Sequence, residues 1–297
     1  MNFLAQNTPL LILVLLAVDG LHFVFARALR EYMHPVASVT WVMGIGALEV
    51  GIFAVSQGKF RFETFRNHPI FFLAIGALVG VSTTINYVAV RFIEPGVASL
   101  LSQMSILFGV ALGVFWLRER LTKGQMFGAG FALAGVLVIT FLPGDFLRFG
   151  ALMVIGGSFL YAFHAAIVKR YGGSIGFLEF FIWRLVATTG VLIGMAGALE
   201  QWVLPPNLAA WGLLFITGTT DVVVSRALYY VSLRRLSVAI HALIFTLSPL
   251  VALLWAFILF GSQPTVRELI GGGIVMVGVG LITLPKGEPH GKTSSST

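Results

Sequence analysis

Five charged side chains stand where charge is costly. Asp19, Glu49, Arg184, Asp221 and Arg226 fall inside long apolar runs. At the centre of a lipid-facing helix each would cost roughly 2.5–3.5 kcal/mol, so they must face a bundle interior, a watery cavity or one another. His22, His164 and His241 lie in the same runs, as do Asn86, Tyr87, Gln103, Tyr161, Tyr229 and Tyr230. Carboxylates suit an ammonium group, and a guanidinium grips a carboxylate bidentately. The set therefore suits a zwitterion carrying both charges.

Spacing separates the candidates. Asp19 and His22 are three apart, on one face of a helix. Asp221 lies at mid-run, and Arg226 follows five residues later, about 140° round, so the two pair poorly on one helix. Each needs a partner elsewhere, in protein or substrate, and a permanent ion pair of Asp221 with Arg184 or Arg226 stays open. Asp221 could otherwise contact a substrate ammonium or couple protons. Glu49 is placed to snorkel to water, and His241 reads as a satisfied core histidine.

The elements that must position these groups are membrane spans. Of the 297 residues 58% are hydrophobic and only 10% charged, with a mean hydropathy of +0.95. A soluble domain carries about 25% charged residues. The composition excludes a secreted disulfide scaffold, a nucleic-acid binder and a disordered chain. Apolar runs predict ten helices near 8–28, 35–56, 69–90, 96–117, 124–143, 149–168, 176–199, 208–232, 238–260 and 266–285. The 26 phenylalanines read chiefly as lipid-facing bulk. Steps such as Gly124/Gly128 allow close helix approach, and the Gly-rich fifth and tenth spans suit either an internal seam or a dimer face.

Charge at the loops predicts orientation. Lys+Arg 19 against Asp+Glu 12 gives +7, which in a membrane protein records topology rather than an acidic partner. With a cytoplasmic N-terminus the inner loops hold 12 Lys/Arg and the outer loops 5. Both termini are therefore expected in the cytoplasm, with residues 286–297 as a flexible tail. The first run is too long for a cleavable signal. No cysteine is present, which excludes disulfides and thiolate metal sites.

A shift of 143 residues superposes the second half on the first. Gly128 falls on Gly271, Gly135 on Gly278, Tyr87-Val88 on Tyr230-Val231, Arg27 on Arg170, and Ile139-Thr140 on Ile282-Thr283. Each unit, 8–143 and 149–285, holds five spans. An odd number predicts opposite topology for the copies, a recurrent device of secondary transporters.

The stretch Leu117-Arg118-Glu119-Arg120-Leu121-Thr122 before Gln125 and Gly128, with Ser248-Pro249 and Trp183-Arg184-Leu185, resembles the EamA-type unit of the drug/metabolite transporter superfamily. The resemblance covers roughly residues 8–285. It departs at Ser105-Ile106, which stands for Ser-Pro, at Gly261-Ser262, which stands for a Leu-Gly-Glu turn, and at Trp41, which takes the place of an arginine. The resemblance implies an all-α integral membrane carrier of ten helices in two inverted EamA repeats. It also implies export of amino acids or related metabolites, with sugars, vitamins or nucleotides carried by other members.

The expectation is a secondary carrier of the inner membrane, without a cofactor, exporting a zwitterionic amino-acid metabolite, metallophores included. Facilitated and proton-coupled alternating access are both open. The expected partners are that substrate, protons and the bilayer, with no nucleic acid, in a monomer or homodimer. Uptake of a vitamin such as riboflavin is the alternative. The expected substrate contacts are Asp19, His22, Trp41, Asn86, Tyr87 and Gln103 from the first unit, and Tyr161, His164, Arg184, Asp221, Arg226 and Tyr230 from the second. An intramembrane enzyme is disfavoured: Thr219-Thr220-Asp221 lacks the Gly-x-Gly-Asp pattern, and no His-x-x-x-His metal pair occurs. The tail stretch Gly287–Thr293 is one residue short of a P-loop and follows no strand.

Overall fold

The computed structural model describes residues 7–118, 122–140, 145–173, 175–233, 236 and 244–283. Among these residues every regular element is helical. The first half forms α1 (Thr8–Asp19), α2 (His22–Leu29), α3 (Pro35–Ser56), a short α4 (Phe62–Asn67), α5 (Pro69–Ala89), α6 (Pro95–Ser102), α7 (Met104–Phe115) and α8 (Lys123–Thr140). The second half forms α9 (Asp145–Tyr171), α10 (Phe177–Ala198), α11 (Leu208–Thr217), a π-helical stretch Gly218–Val224, α12 (Ser225–Leu233), α13 (Ser248–Phe260) and α14 (Val266–Thr283). Among the described residues eight helical stretches are long and apolar enough to cross a membrane. The shorter apolar helices Lys123–Ile139 and Ser248–Phe260 fall in the fifth and ninth expected spans. His241, the start of the ninth expected span and the tail lie outside the described residues.

Local sequence explains where helices begin. Prolines open α3, α5 and α6, where the missing N–H costs nothing. Two capping boxes open α8 and α14. Thr122 Oγ1 accepts from the Gln125 N–H at 3.3 Å while Gln125 Oε1 accepts from the Thr122 N–H at 3.0 Å. Thr265 and Glu268 repeat the exchange at 3.3 and 2.7 Å. Both satisfy otherwise orphaned amides, and the two boxes are related by the 143-residue shift.

Packing between helices follows the same exchange of halves. α3 lies against α10 and α8 against α14, each joining repeat counterparts, and α6 lies against α13, which belong to the fourth and ninth expected spans. α5 against α9 is matched by α1 against α12. The α8–α14 seam is built on glycine. A Cβ on Gly128 would meet Gly278 O at 2.5 Å, and one on Gly135 would meet Gly271 O at 2.6 Å. Position 128 thus faces 278 while 135 faces 271, so the two helices run antiparallel with backbones in contact. The Gly-rich helices form an internal seam.

The polar stretch between the second and third spans is more ordered than its composition suggests. Phe62 and Phe65 of α4 pack on Trp183 at ring distances of 5.6 and 5.1 Å, and Trp183 Nε1 donates to Arg61 O at 2.9 Å. Three spans also depart from continuous α-helix. The fourth does so at Gln103, between α6 and α7. The first is interrupted at Gly20 and Leu21, where a Cβ on Gly20 would lie 3.0 Å from Val251 and 3.1 Å from the Ala252 amide. The eighth becomes π-helical around Asp221.

Candidate functional site

Between the halves lies a cavity of about 760 Å³. Its charged lining comes from four helices and from the break in the first span. Asp19 closes α1, His22 opens α2, Lys169 lies near the end of α9, Arg184 lies in α10, Asp221 in the π-helical stretch and Arg226 in α12. Asn86, Gln103, Tyr161 and His164 also line it. Nine of the expected contacts are thus brought to one cavity.

The two carboxylates have different partners. Asp221, only 6% exposed, lies 2.8 Å from His22 Nδ1 through its Oδ2. Of the partners left open for Asp221, neither arginine is its hydrogen-bonding partner: that is the histidine of the first span, with Arg226 within electrostatic reach. The π-helical turn sets Asp221 apart from regular α spacing, and such insertions recur at functional sites. Asp19 instead accepts hydrogen bonds from neutral hydroxyls, Ser248 at 2.7 Å and Ser225 at 3.5 Å. Ser248 stands at the start of α13 beside Pro249, so the Ser-Pro step presents its hydroxyl to the first helix.

The cationic wall is held differently. Arg184 Nε is buried without a protein hydrogen-bond partner, and its guanidinium lies 5.4 Å over the Phe181 ring. Arg226 is within electrostatic reach of Asp19, Asp221 and the hydroxyls of Tyr161 and Tyr229. Tyr161 also interacts with Arg184, and its ring lies 5.4 Å from that of His164. Asn86 Oδ1 is buried with no protein donor. Among the described residues no three His, Cys, Asp or Glu side chains are placed to hold a metal ion.

Three expected contacts lie elsewhere. Trp41 donates to Val203 O at 3.0 Å and packs edge-on against Trp211 at 5.1 Å, pinning the segment after α10. Tyr87 is 1% exposed and meets the His22 ring edge-on at 5.9 Å, behind the cavity wall. Tyr230 stacks on Phe177 at 4.1 Å, and its neighbour Tyr229 lines the cavity. Glu49 accepts from Thr219 Oγ1 at 2.6 Å, so it is tied to the π-helical stretch rather than snorkelling freely.

Some lining residues carried no distinguishing signal in sequence. Phe23, Phe177, Phe180, Phe181 and Phe245 line the cavity, an exception to the chiefly lipid-facing reading of the phenylalanines, while Phe115 and Phe127 stand outside at 86% and 70% exposure. The repeat offered one usable signal. Asn86 and Tyr229, Ser105 and Ser248, and Ile106 and Pro249 are counterparts under the shift, and all six line the cavity.

Comparison with known proteins now decides the family. The EamA-like transporter family matches twice, over residues 7–141 and 148–284. The chain belongs to the EamA-like transporter family. It is a multi-pass membrane protein and a transporter by membership. Its relatives include an uncharacterized transporter YdfC of Bacillus subtilis, 27% identical over 79% of this chain and 77% of the relative. Another is a probable terminal-alkyne amino-acid exporter of Streptantibioticus cattleyicolor, 26% identical over 82% and 90%. A third is a probable amino-acid metabolite efflux pump of Salmonella typhimurium, 24% identical over 93% and 94%. One crystal structure matches with a TM-score of 0.66 at 17% identity, covering 92% of this chain and 96% of that one, a likeness of fold.

Proposed function

We propose that this EamA transporter exports zwitterionic amino acids or amino-acid-derived metabolites across the inner membrane by alternating access. The observation that carries the reading is the cavity itself, which sets Asp19 and Asp221 in one lining with Arg184 and Arg226. Arg184 and Arg226 receive the substrate carboxylate. Asp19 receives the ammonium, because Asp221 already holds His22 at 2.8 Å whereas Asp19 holds only hydroxyl hydrogens. The names of two relatives, an amino-acid exporter and an amino-acid metabolite efflux pump, support the same substrate class.

Ten spans in two inverted units, with both termini cytoplasmic, complete the proposal. The antiparallel α8–α14 seam between repeat counterparts supports inversion, and the loop charges support the orientation. His22 and Asp221 form the proton-coupling pair of an antiport cycle. Two experiments test the reading. Cells with the protein should accumulate amino-acid-type metabolites outside relative to cells without it, and proteoliposomes should exchange a radiolabelled amino acid against a pH gradient. Equal metabolite levels in both cell types, with no flux in liposomes, overturn it.

A further inference from the structure

The cavity lining extends to one end of the bundle. Its lining includes Lys169 near the end of α9, Phe177 at the start of α10 and Thr283 at the end of α14. Towards the other end the lining ends with Phe23, Asn86 and Ser99. One turn beyond Phe23 on α2 is Arg27, and Glu94 immediately precedes α6. Packing places these ends opposite each other. α9 meets α5 near Phe71 at Gly172 and near Phe92 at Gly150, and Arg30 binds Val90 O at 3.0 Å, on the Phe92 side.

At that end Arg27 Nη1 hydrogen-bonds the Glu94 carboxylate and, at 2.9 Å, the Ser262 hydroxyl. Ser262 in turn donates to Glu94. The guanidinium lies 4.6 Å over the Phe260 ring. Gly261, at φ +64, ends α13 in a left-handed turn that brings Ser262 back over the helix, with Ser262 N bonded to Ala256 O at 3.3 Å. This is the turn at which the second unit departs from the family pattern. Ser262 falls on Glu119 under the 143-residue shift, Glu94 on Ser237 and Arg27 on Arg170. The counterpart trio, Arg170, Ser237 and Glu119, therefore also holds one Arg, one Ser and one Glu, with Glu and Ser exchanged between the positions. Glu119 and Ser237 lie outside the described residues.

We propose that Arg27, Glu94 and Ser262 form a latch that seals one end of the cavity in this state and must open for the opposite-facing state. The proposal rests on the carrier reading in one respect, that the cavity faces alternate sides. The latch joins both repeats, since Arg27 and Glu94 come from the first and Ser262 from the second, so relative motion of the halves must break it. Loss of its charge pair shifts the population towards the state open at that end.

Cysteine accessibility tests this without any transported substrate, because the native chain has no cysteine. Ser99→Cys reports the cavity floor, and the exposed positions Pro206 and Lys59, each changed to Cys alone, identify the two sides. A membrane-impermeant maleimide is applied to cells and to inverted vesicles. With the latch intact, Ser99→Cys should react from the Lys59 side and be protected from the Pro206 side. Glu94→Gln, which keeps the side-chain shape, should speed labelling from the Pro206 side on the order of fivefold, the population change that one part-exposed ion pair can impose. The swap Arg27→Glu with Glu94→Arg should restore protection. Unchanged protection in Glu94→Gln and Arg27→Gln at normal membrane abundance overturns the latch, as does rapid labelling from the Pro206 side with the latch intact. Should amino-acid flux be absent while the labelling pattern holds, the substrate assignment fails and the latch stands.

Discussion

His22 Nδ1 and Asp221 Oδ2, 199 residues apart in the chain, lie 2.8 Å apart in the cavity wall. The pair joins the broken first span to the π-helical turn of the eighth, one element from each repeat. Asp19 instead accepts from the Ser248 and Ser225 hydroxyls, and under the proposed function it is the carboxylate that meets the substrate ammonium.

Asp221→Asn keeps an oxygen that can accept from His22, so the variant should insert and melt close to the parent. Under the proposed coupling it should still exchange a radiolabelled amino acid while losing its response to a pH gradient. Asp221→Ala should lower the melting temperature in detergent, because an unpaired buried polar group costs about 1–3 kcal/mol. Asn at 221 with unaltered pH dependence and affinity removes the pair from the coupling role.

Replacing Arg226 by Gln should raise KM for a zwitterion by about tenfold or more, since a hydrogen bond to a charged group contributes ~1.5–3 kcal/mol. The same change should matter far less for an amine that lacks the carboxylate. Flux measured at equal membrane abundance decides it, and an unchanged KM excludes Arg226 from the contacts.

The seam between α8 and α14 makes a structural prediction. Gly278→Val places a Cβ 2.4 Å from the Ala132 amide, and backbone cannot yield as a side chain would. Expression should collapse or the melting temperature fall sharply, as overpacking costs typically 1–3 kcal/mol or more. Gly273→Ala, in the same helix with open space at its Cβ, should be neutral or stabilising by up to ~1 kcal/mol.

Trp41→Phe should leave substrate affinity unchanged and lower thermal stability by about 1 kcal/mol, the worth of its hydrogen bond to Val203 O. A changed KM with unchanged melting would return Trp41 to the binding site.

Sequence by itself determined the class of molecule and its duplication. Long apolar runs have one use at this length, and a constant offset linking Gly128 to Gly271 and Thr122 to Thr265 records two copies of one helical unit. It also selected the costly polar groups, because a charge in an apolar run must be satisfied somewhere. Sequence did not decide which group satisfies which. Periodicity gives a face on one helix and no information about the helix opposite, so Asp221 could be matched with either arginine until tertiary packing brought His22 to it. Trp41 and Tyr230 illustrate the same limit: residue type marked them as candidates, while helix rotation turned one onto Trp211 and the other onto Phe177. The phenylalanines divide between lipid and cavity for the same reason, since an apolar ring is equally at home against acyl chains or a substrate. Only the crossing of α8 on α14 decided that the glycines, common in any membrane span, form the seam between the repeats.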